Sequence, residues 1–213
     1  MNLKKIYQER YDDLKWRQKL WQVLVESFFQ QFINKKDTVV DIGCGYGEFI
    51  NQIRCRKKLA VDLNTEAKKH LKQEIIFYRA SSTKMPFLKK NSIDKIFVSN
   101  FFEHLTRSDI IATIKEFKRI LKKGGQVLIL QPNIRLIPND YWQFFDHLTP
   151  IDDRALEEIF LTFGFKLKKR ILRFLPYTTK SNFPRAISLV KLYLKLPFFW
   201  HFFGRQSFLI FEK

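Results

Sequence analysis

The stretch Val39-Val40-Asp41-Ile42-Gly43-Cys44-Gly45-Tyr46-Gly47-Glu48-Phe49 decides how the rest of the chain is read. A β-branched run leads into three alternating glycines, which predicts a buried strand, a tight loop and then a helix. Glycine at such a bend permits positive φ and lets a ligand approach the backbone. A helix starting there would offer free N–H groups to anionic atoms. Loops of this kind are common, so the flanking residues carry the discrimination. A P-loop requires Gly-Lys-Ser/Thr, which is absent. A dinucleotide fingerprint requires glycine at the sixth place, and counting from Gly43 that place is Glu48. Asp41 and Glu48 would repel a pyrophosphate but suit a ligand that carries positive charge.

Outward from this loop, short apolar runs alternate with helical patterns. The runs are Val39-Val40, Leu59-Ala60-Val61, Ile75-Ile76-Phe77, Ile96-Phe97-Val98 and Val127-Leu128-Ile129-Leu130. They lack polar alternation, as strands do when helices cover both faces of a parallel sheet. Residues 106–123 read as a helix with Ile110, Ile114, Phe117 and Leu121 on one face, and Lys122-Lys123-Gly124-Gly125 reads as its end. Together these predict a doubly wound α/β core over about residues 37–131.

Residues 4–34 read as one N-terminal helix, with Trp16, Leu20, Leu24, Phe28 and Phe32 every fourth residue. Tyr7, Tyr11 and Arg17 on it read as a brace or as a lid over the loop. Residues 131–148 read as a polar-aromatic loop. A helix follows, with Thr149 as cap, Pro150 at its first position and Gly164 past its end. Residues 165–174 and 206–211 read as late strands around an aromatic, basic insert. The chain thus reads as a single domain, 1–213: an N-terminal extension (1–36), a core (37–175), an insert (176–204) and a last strand (205–213).

Composition bounds the function. The chain has 213 residues, enough to bury roughly 70% of its unfolded surface without disulfides or metals. Cys44 and Cys55 are the only cysteines, which excludes a disulfide scaffold and points to a reducing compartment. No Cys/His set has structural-zinc spacing, and no metal is expected. The N-terminus lacks the apolar core of a secretory signal, and no run is long and apolar enough for a membrane span. Against 21 acidic residues stand 39 basic ones, a net charge of +18 that favours anionic partners.

Several segments then combine. Asp62 ends the second strand, 21 residues after Asp41. Met85-Pro86-Phe87 and Asn91-Ser92-Ile93-Asp94-Lys95-Ile96 precede the fourth strand, Ser99-Asn100-Phe101-Phe102-Glu103-His104-Leu105 follows it, and Leu121-Lys122-Lys123-Gly124-Gly125 precedes the fifth. With the glycine loop, over about residues 37–165, they resemble class I S-adenosylmethionine-dependent methyltransferases, most of all the small-molecule type 11/23 branch. The resemblance implies a Rossmann-like, mostly parallel seven-stranded sheet. It implies a cofactor site of Asp41, Gly43, Cys44, Gly45, Gly47, Asp62, Leu63, Ser81, Ser82, Asn100 and Phe101, with Asp62 on the ribose hydroxyls. The family often carries Asp after the third strand, at the adenine. Here Ala80-Ser81-Ser82 stands there, and a serine hydroxyl or a backbone N–H takes its place.

His104, just past the fourth strand, reads as an active-site group or as a brace for the next helix. His147 follows the fifth strand, at the sheet edge where such folds bind ligands; it reads as catalytic, with Tyr141 and Asp146 as substrate-binding companions. His70 and His201 have no supporting context. Cys44 reads as a small filler, since a catalytic thiolate would stand after the fourth strand. Asn100-Phe101-Phe102-Glu103 is not the Asn/Asp-Pro-Pro-aromatic tetrad of amino-group DNA and protein methylases.

Between Phe160 and Phe211 there are ten basic residues and no acidic one, interleaved with aromatics. The insert reads as a lid over the acceptor or as a membrane-surface element, and behind these as a nucleic-acid surface. The resulting expectation is methyl transfer to a small-molecule or lipid-linked acceptor. An RNA or other nucleic-acid methyltransferase and a non-catalytic cofactor-binding partner subunit are the alternatives. The expected location is cytoplasmic, with peripheral contact through 183–203 at the inner membrane surface.

Overall fold

In the computed structural model, which describes residues 13–177 and 186–213, the apolar runs become strands of one seven-stranded sheet. They are β1 (Thr38–Ile42), β2 (Lys57–Asp62), β3 (Ile76–Arg79), β4 (Ile93–Ser99), β5 (Leu121–Pro132), β6 (Lys166–Leu175) and β7 (Gln206–Glu212). Their order is β3-β2-β1-β4-β5-β7-β6. The pairs among β1 to β5 are parallel, and β7 lies antiparallel between β5 and β6. Both faces are covered. In β4, Phe97 joins Val39, Leu128 and Phe208 on one side, while Ile96 and Val98 join Val40, Val127 and Leu209 on the other.

Phenylalanine fills the first of these faces. Phe49 stacks on Phe97 with centroids 3.6 Å apart, and Phe28 lies 4.1 Å from Phe174 and 5.3 Å from Phe208. Each buried ring contributes about 1.5–3 kcal/mol, so this aromatic layer holds the N-terminal helix on the sheet.

That helix, α1 (Leu14–Ser27), starts at Asp13, whose carboxylate accepts the Trp16 N–H at 3.0 Å. The single helix expected over 4–34 is corrected here, and residues 1–12, with Tyr7 and Tyr11, lie outside the described part. Phe28 leaves helical geometry at φ −139° as its ring enters the aromatic layer, and a 3-10 turn, Phe29–Phe32, follows. Helix α2 (Arg107–Ile120) is capped by Thr106 and stops before the lysines. Leu121 already pairs with Ile93, so Lys122 to Gly125 enter β5 instead of closing the helix.

Helix α3 (Asp153–Thr162) is capped by Asp152, which accepts the Ala155 N–H at 2.8 Å. Thr149 was the expected cap, but its hydroxyl donates instead to the Leu105 carbonyl, and Pro150 precedes the helix. Gly164, at φ +76°, ends it as expected. The insert supplies α4 (Ile187–Lys195) and α5 (Pro197–Phe203), which rest on α1 and β6. The Tyr193 hydroxyl donates to the Phe174 carbonyl, and the Trp200 indole N–H donates to Tyr193 O at 2.7 Å.

The chain fills the sheet outward from β1 through β2 to β3, then crosses to the other side of β1 for β4. The loops leaving β1 and β4 therefore part at a topological switch point, where open α/β sheets bind ligands.

Gly204 sets the distance between α5 and β6. A Cβ there would lie 2.5 Å from the Arg173 carbonyl carbon and 2.6 Å from the Trp200 carbonyl oxygen, both backbone atoms. Gly204→Ala should therefore cost about 1–3 kcal/mol, as overpacking does. A lower urea midpoint with unchanged slope would show this, and an unchanged midpoint would contradict the packing described.

Candidate active site

The loop after β1 is built on left-handed backbone: Gly43, Gly45 and Gly47 have φ of +66°, +54° and +74°. The Gly43 N–H donates to the Val61 carbonyl at 2.8 Å, and the Cys44 N–H to the same oxygen at 3.2 Å. Asp62 completes the attachment. Its Oδ2 accepts the Gly45 N–H at 2.9 Å, and its Oδ1 accepts the Asn64 N–H at 2.8 Å. A Cβ on Gly43 would stand 2.4 Å from the Phe101 ring. That ring reaches the loop because Asn100, at φ +49°, turns the chain out of β4 while its N–H donates to Leu130 O.

The helix expected after this loop is corrected: residues 46–52 are turns. Asn51 N–H reaches back to Gly47 O, but the Asn51 carbonyl is taken by the Lys72 ammonium at 2.8 Å. The Asn51 side chain also binds the 70–72 segment, donating to His70 O and accepting from Lys72 N–H. These bonds tie the turns across to the 70–72 segment.

Three carboxylates, Asp41, Glu48 and Asp62, are buried around the loop. Burial pushes the Asp41 carboxyl well above the usual range, and the charges of Glu48 and Asp62 push the same way. Burial also raises Asp62, against the pull of the N–H groups of Asn64 and Gly45. Arg17 on α1 faces Glu48 through both Nε and Nη2, each 3.0 Å from Oε1, so in this structure it braces the loop. Burial raises the Cys44 thiol, which keeps it protonated and inert.

The remaining residues expected around the cofactor divide by environment. Leu63 is 56% exposed at the end of β2. Beyond it, Asn64 Nδ2 is buried with no hydrogen-bond partner among the described residues. The Ser82 hydroxyl is buried against Thr113 Oγ1 at 2.7 Å, inside the contact with α2. Ser81 Oγ binds Thr83 through both its hydroxyl and its N–H.

A second cluster forms beyond β4 and β5, and it brings together His104, Tyr141, Asp146 and His147. His104 Nδ1 lies 3.1 Å from the Asp146 carbonyl oxygen and 3.3 Å from its Oδ2. His104 Nε2 lies 3.8 Å from Glu103 Oε1. The His147 ring centroid is 5.0 Å from that of His104 and 4.9 Å from that of Tyr141. Glu103 is 1% exposed, and its carboxyl is raised by burial while His104 and Gln131 draw it down. Gln131 Nε2 donates to Glu103 Oε2 at 2.8 Å. Among the described residues, donor atoms of Glu103, His104 and His147 all lie within 4.8 Å of one another.

Tyr141 is fully buried, and its hydroxyl is committed to the backbone, donating to Thr149 O and accepting from Ile151 N–H. It therefore offers a ring, not a hydroxyl, to this region. Gln131 and Asn64 went unread in the sequence, and Thr149 was read only as a helix cap. Gln131 had one available signal, a polar residue ending an apolar strand.

Comparison with known proteins agrees with this fold. Residues 14–169 match the family model described as a methyltransferase domain. An uncharacterized protein of Methanocaldococcus jannaschii is 28% identical over 178 residues, covering 80% of this chain and 74% of that protein. A S-adenosylmethionine-dependent methyltransferase from Archaeoglobus fulgidus shares the fold with a TM-score of 0.69 at 16% identity, covering 100% of both chains. The protein solved in complex with the Haloferax volcanii Trm112 methyltransferase activator shares it with a TM-score of 0.72 at 16% identity, covering 99% of this chain and 95% of that one.

The chain belongs to the methyltransferase-domain family. Its activity is S-adenosylmethionine-dependent methyl transfer. The residues present fit that cofactor. The acidic loop suits its cationic sulfur and ammonium groups, the glycine backbone leaves room for close approach, and Asn64 Nδ2 is an unspent donor beyond Asp62.

Burial disfavours the charged forms of Asp41 and Asp62 in the free protein, and a cationic ligand favours them. Cofactor binding should therefore release protons, and affinity should rise as pH climbs above the ordinary carboxylate value of about 4. Calorimetry in buffers of different ionisation enthalpy reads this release; identical heats in every buffer would refute it. Asp62→Ala strips the acceptor from two loop N–H groups. It should weaken cofactor binding by about tenfold or more, ~1.4 kcal/mol, and unchanged affinity would contradict the role of Asp62.

Proposed function

We propose that the protein methylates a small-molecule or lipid-linked acceptor held between residues 100–104 and 141–147, beside the cofactor loop. The observation that carries this reading is the convergence of the two clusters on one sheet edge. Phe101 touches the Gly43 loop, and three residues on His104 faces Asp146. S-adenosylmethionine, when bound, supplies a methyl group activated on a cationic sulfur. The protein's part is to hold the donor, align the acceptor and exclude water. Gly43, Gly45, Gly47 and Asp62 would hold the donor, with Leu63, Ser81 and Asn100 at its margins. His104 and His147 supply basic nitrogens to the acceptor wall, so activation of the acceptor falls to this pair.

The insert supports the lipid-linked form of the acceptor. Leu189, Leu192, Leu196, Phe198 and Phe202 are exposed on α4 and α5, with Lys191 and Lys195 beside them. An apolar patch bordered by lysines suits the headgroup boundary of an anionic bilayer. No helix among the described residues is long and apolar enough to cross a membrane. The lysine-bordered patch supports peripheral contact with the inner membrane surface, and a cytoplasmic location is part of the same proposal.

Cell extract incubated with the protein and methyl-labelled S-adenosylmethionine should carry label in the lipid or small-molecule fraction. Vesicles containing anionic lipid should float the protein at low salt, and Phe198→Asp with Phe202→Asp should abolish flotation. Label confined to RNA, with no flotation, would overturn both parts in favour of a nucleic-acid substrate.

A further inference from the structure

We propose that Glu103, His104 and His147 bind a divalent transition-metal ion beside the acceptor. The inference rests on the acceptor-site reading above and deepens it by naming how the acceptor is activated. One carboxylate and two imidazoles present donor atoms within 4.8 Å of one another. Ligands bound at 2.0–2.2 Å around a tetrahedral ion stand about 3.4 Å apart. The Glu103–His104 pair, at 3.8 Å, is already near that separation. The widest pair needs to close by no more than about 1.4 Å, within the reach of side-chain torsions.

The atoms behind the donors are a second, independent observation. A metal-binding histidine usually gives its other ring nitrogen to a carboxylate or carbonyl, and a ligating carboxylate is itself hydrogen-bonded. His104 Nδ1 faces both the carbonyl and the carboxylate of Asp146, which leaves the lone pair on Nε2, the nitrogen nearer Glu103. Gln131 holds Glu103 Oε2 and leaves Oε1 on the side of His104. Glu103 is a buried carboxylate with no lysine or arginine partner among the described residues. Such a group needs a proton, a protonated histidine or a cation. His147 is 8% exposed, whereas the His104 side chain is 24% exposed, so the cluster is closed behind and open on one side.

Two imidazoles and a carboxylate form a nitrogen-rich set that selects Zn2+ or a similar first-row ion over Mg2+ or Ca2+. Three protein ligands leave open positions, as in catalytic sites. An ion there would act as a Lewis acid on an acceptor oxygen or nitrogen.

The test uses the full chain, stripped with chelator and titrated with Zn2+ alone by calorimetry. Binding of one equivalent is expected, with Kd of about 1 µM or tighter. Co2+ should give visible bands of a four- or five-coordinate site. His147→Gln and, separately, His104→Gln should each weaken Zn2+ binding by about tenfold or more. Thermal melting of the metal-free variants checks that they fold, which covers the case in which Glu103→Gln does not. No binding by the wild type, or binding by both histidine variants as tight as the wild type's, would overturn the site. S-adenosylmethionine titration of the wild type reads the underlying assignment independently. Cofactor binding without Zn2+ binding sinks only the metal site, whereas loss of cofactor binding sinks the methyltransferase reading itself.

Discussion

One carboxylate joins the two chain segments on which the site depends. Asp62, at the end of β2, accepts the Gly45 N–H with one oxygen and the Asn64 N–H with the other. The loop after β1 is thereby fastened to the neighbouring strand rather than to a helix behind it. Its three positive-φ glycines cannot relax without breaking that bond, and its backbone stays open toward the sheet edge. A group this deeply buried carries its charge at a cost, and Glu48 raises that cost, while Asp41 nearby is pushed up in turn by Glu48 and Asp62. The free protein stores an electrostatic demand for positive charge at the place where its cofactor brings some.

The aromatic layer serves the same end from a distance. Phe28, Phe49, Phe97, Phe174 and Phe208 pack α1 against one face of the sheet, and Phe102, Phe117, Phe160 and Phe211 fill the other. A phenylalanine core is dense, and it makes the sheet edge a fixed platform. Arg17 meets Glu48 from the first turns of α1, while Phe28 at the other end of the helix packs on Phe174 and Phe208. The insert draws on this layer as well: Trp200 touches Phe28 and Phe174, which leaves the phenylalanines of α5 turned outward.

Where the reading of the residues departed from the structure, one cause recurs. Local signals were satisfied by distant partners. Thr149 resembles a helix cap, but the Leu105 carbonyl takes its hydroxyl. Lys122 resembles the last turn of a helix, but it sits in β5 and its ammonium meets Asp94 at 2.6 Å. The glycine loop resembles the start of a helix, but Lys72 and His70 tie up Asn51. Capping and dipole effects amount to about 1 kcal/mol each, and a buried tertiary hydrogen bond matches that.

Two kinds of information separate. The residues alone determined the doubly wound sheet, because strands covered on both faces must be apolar without alternation. They also determined the acidic glycine loop, because only glycine takes that backbone cheaply. The tertiary structure decided what no local pattern encodes. Glu103, Gln131 and His147 meet only because β4 and β5 are neighbours and the chain folds back from Tyr141 to Thr149. Residues dozens of positions apart share a site through strand order, and strand order is a property of the whole sheet.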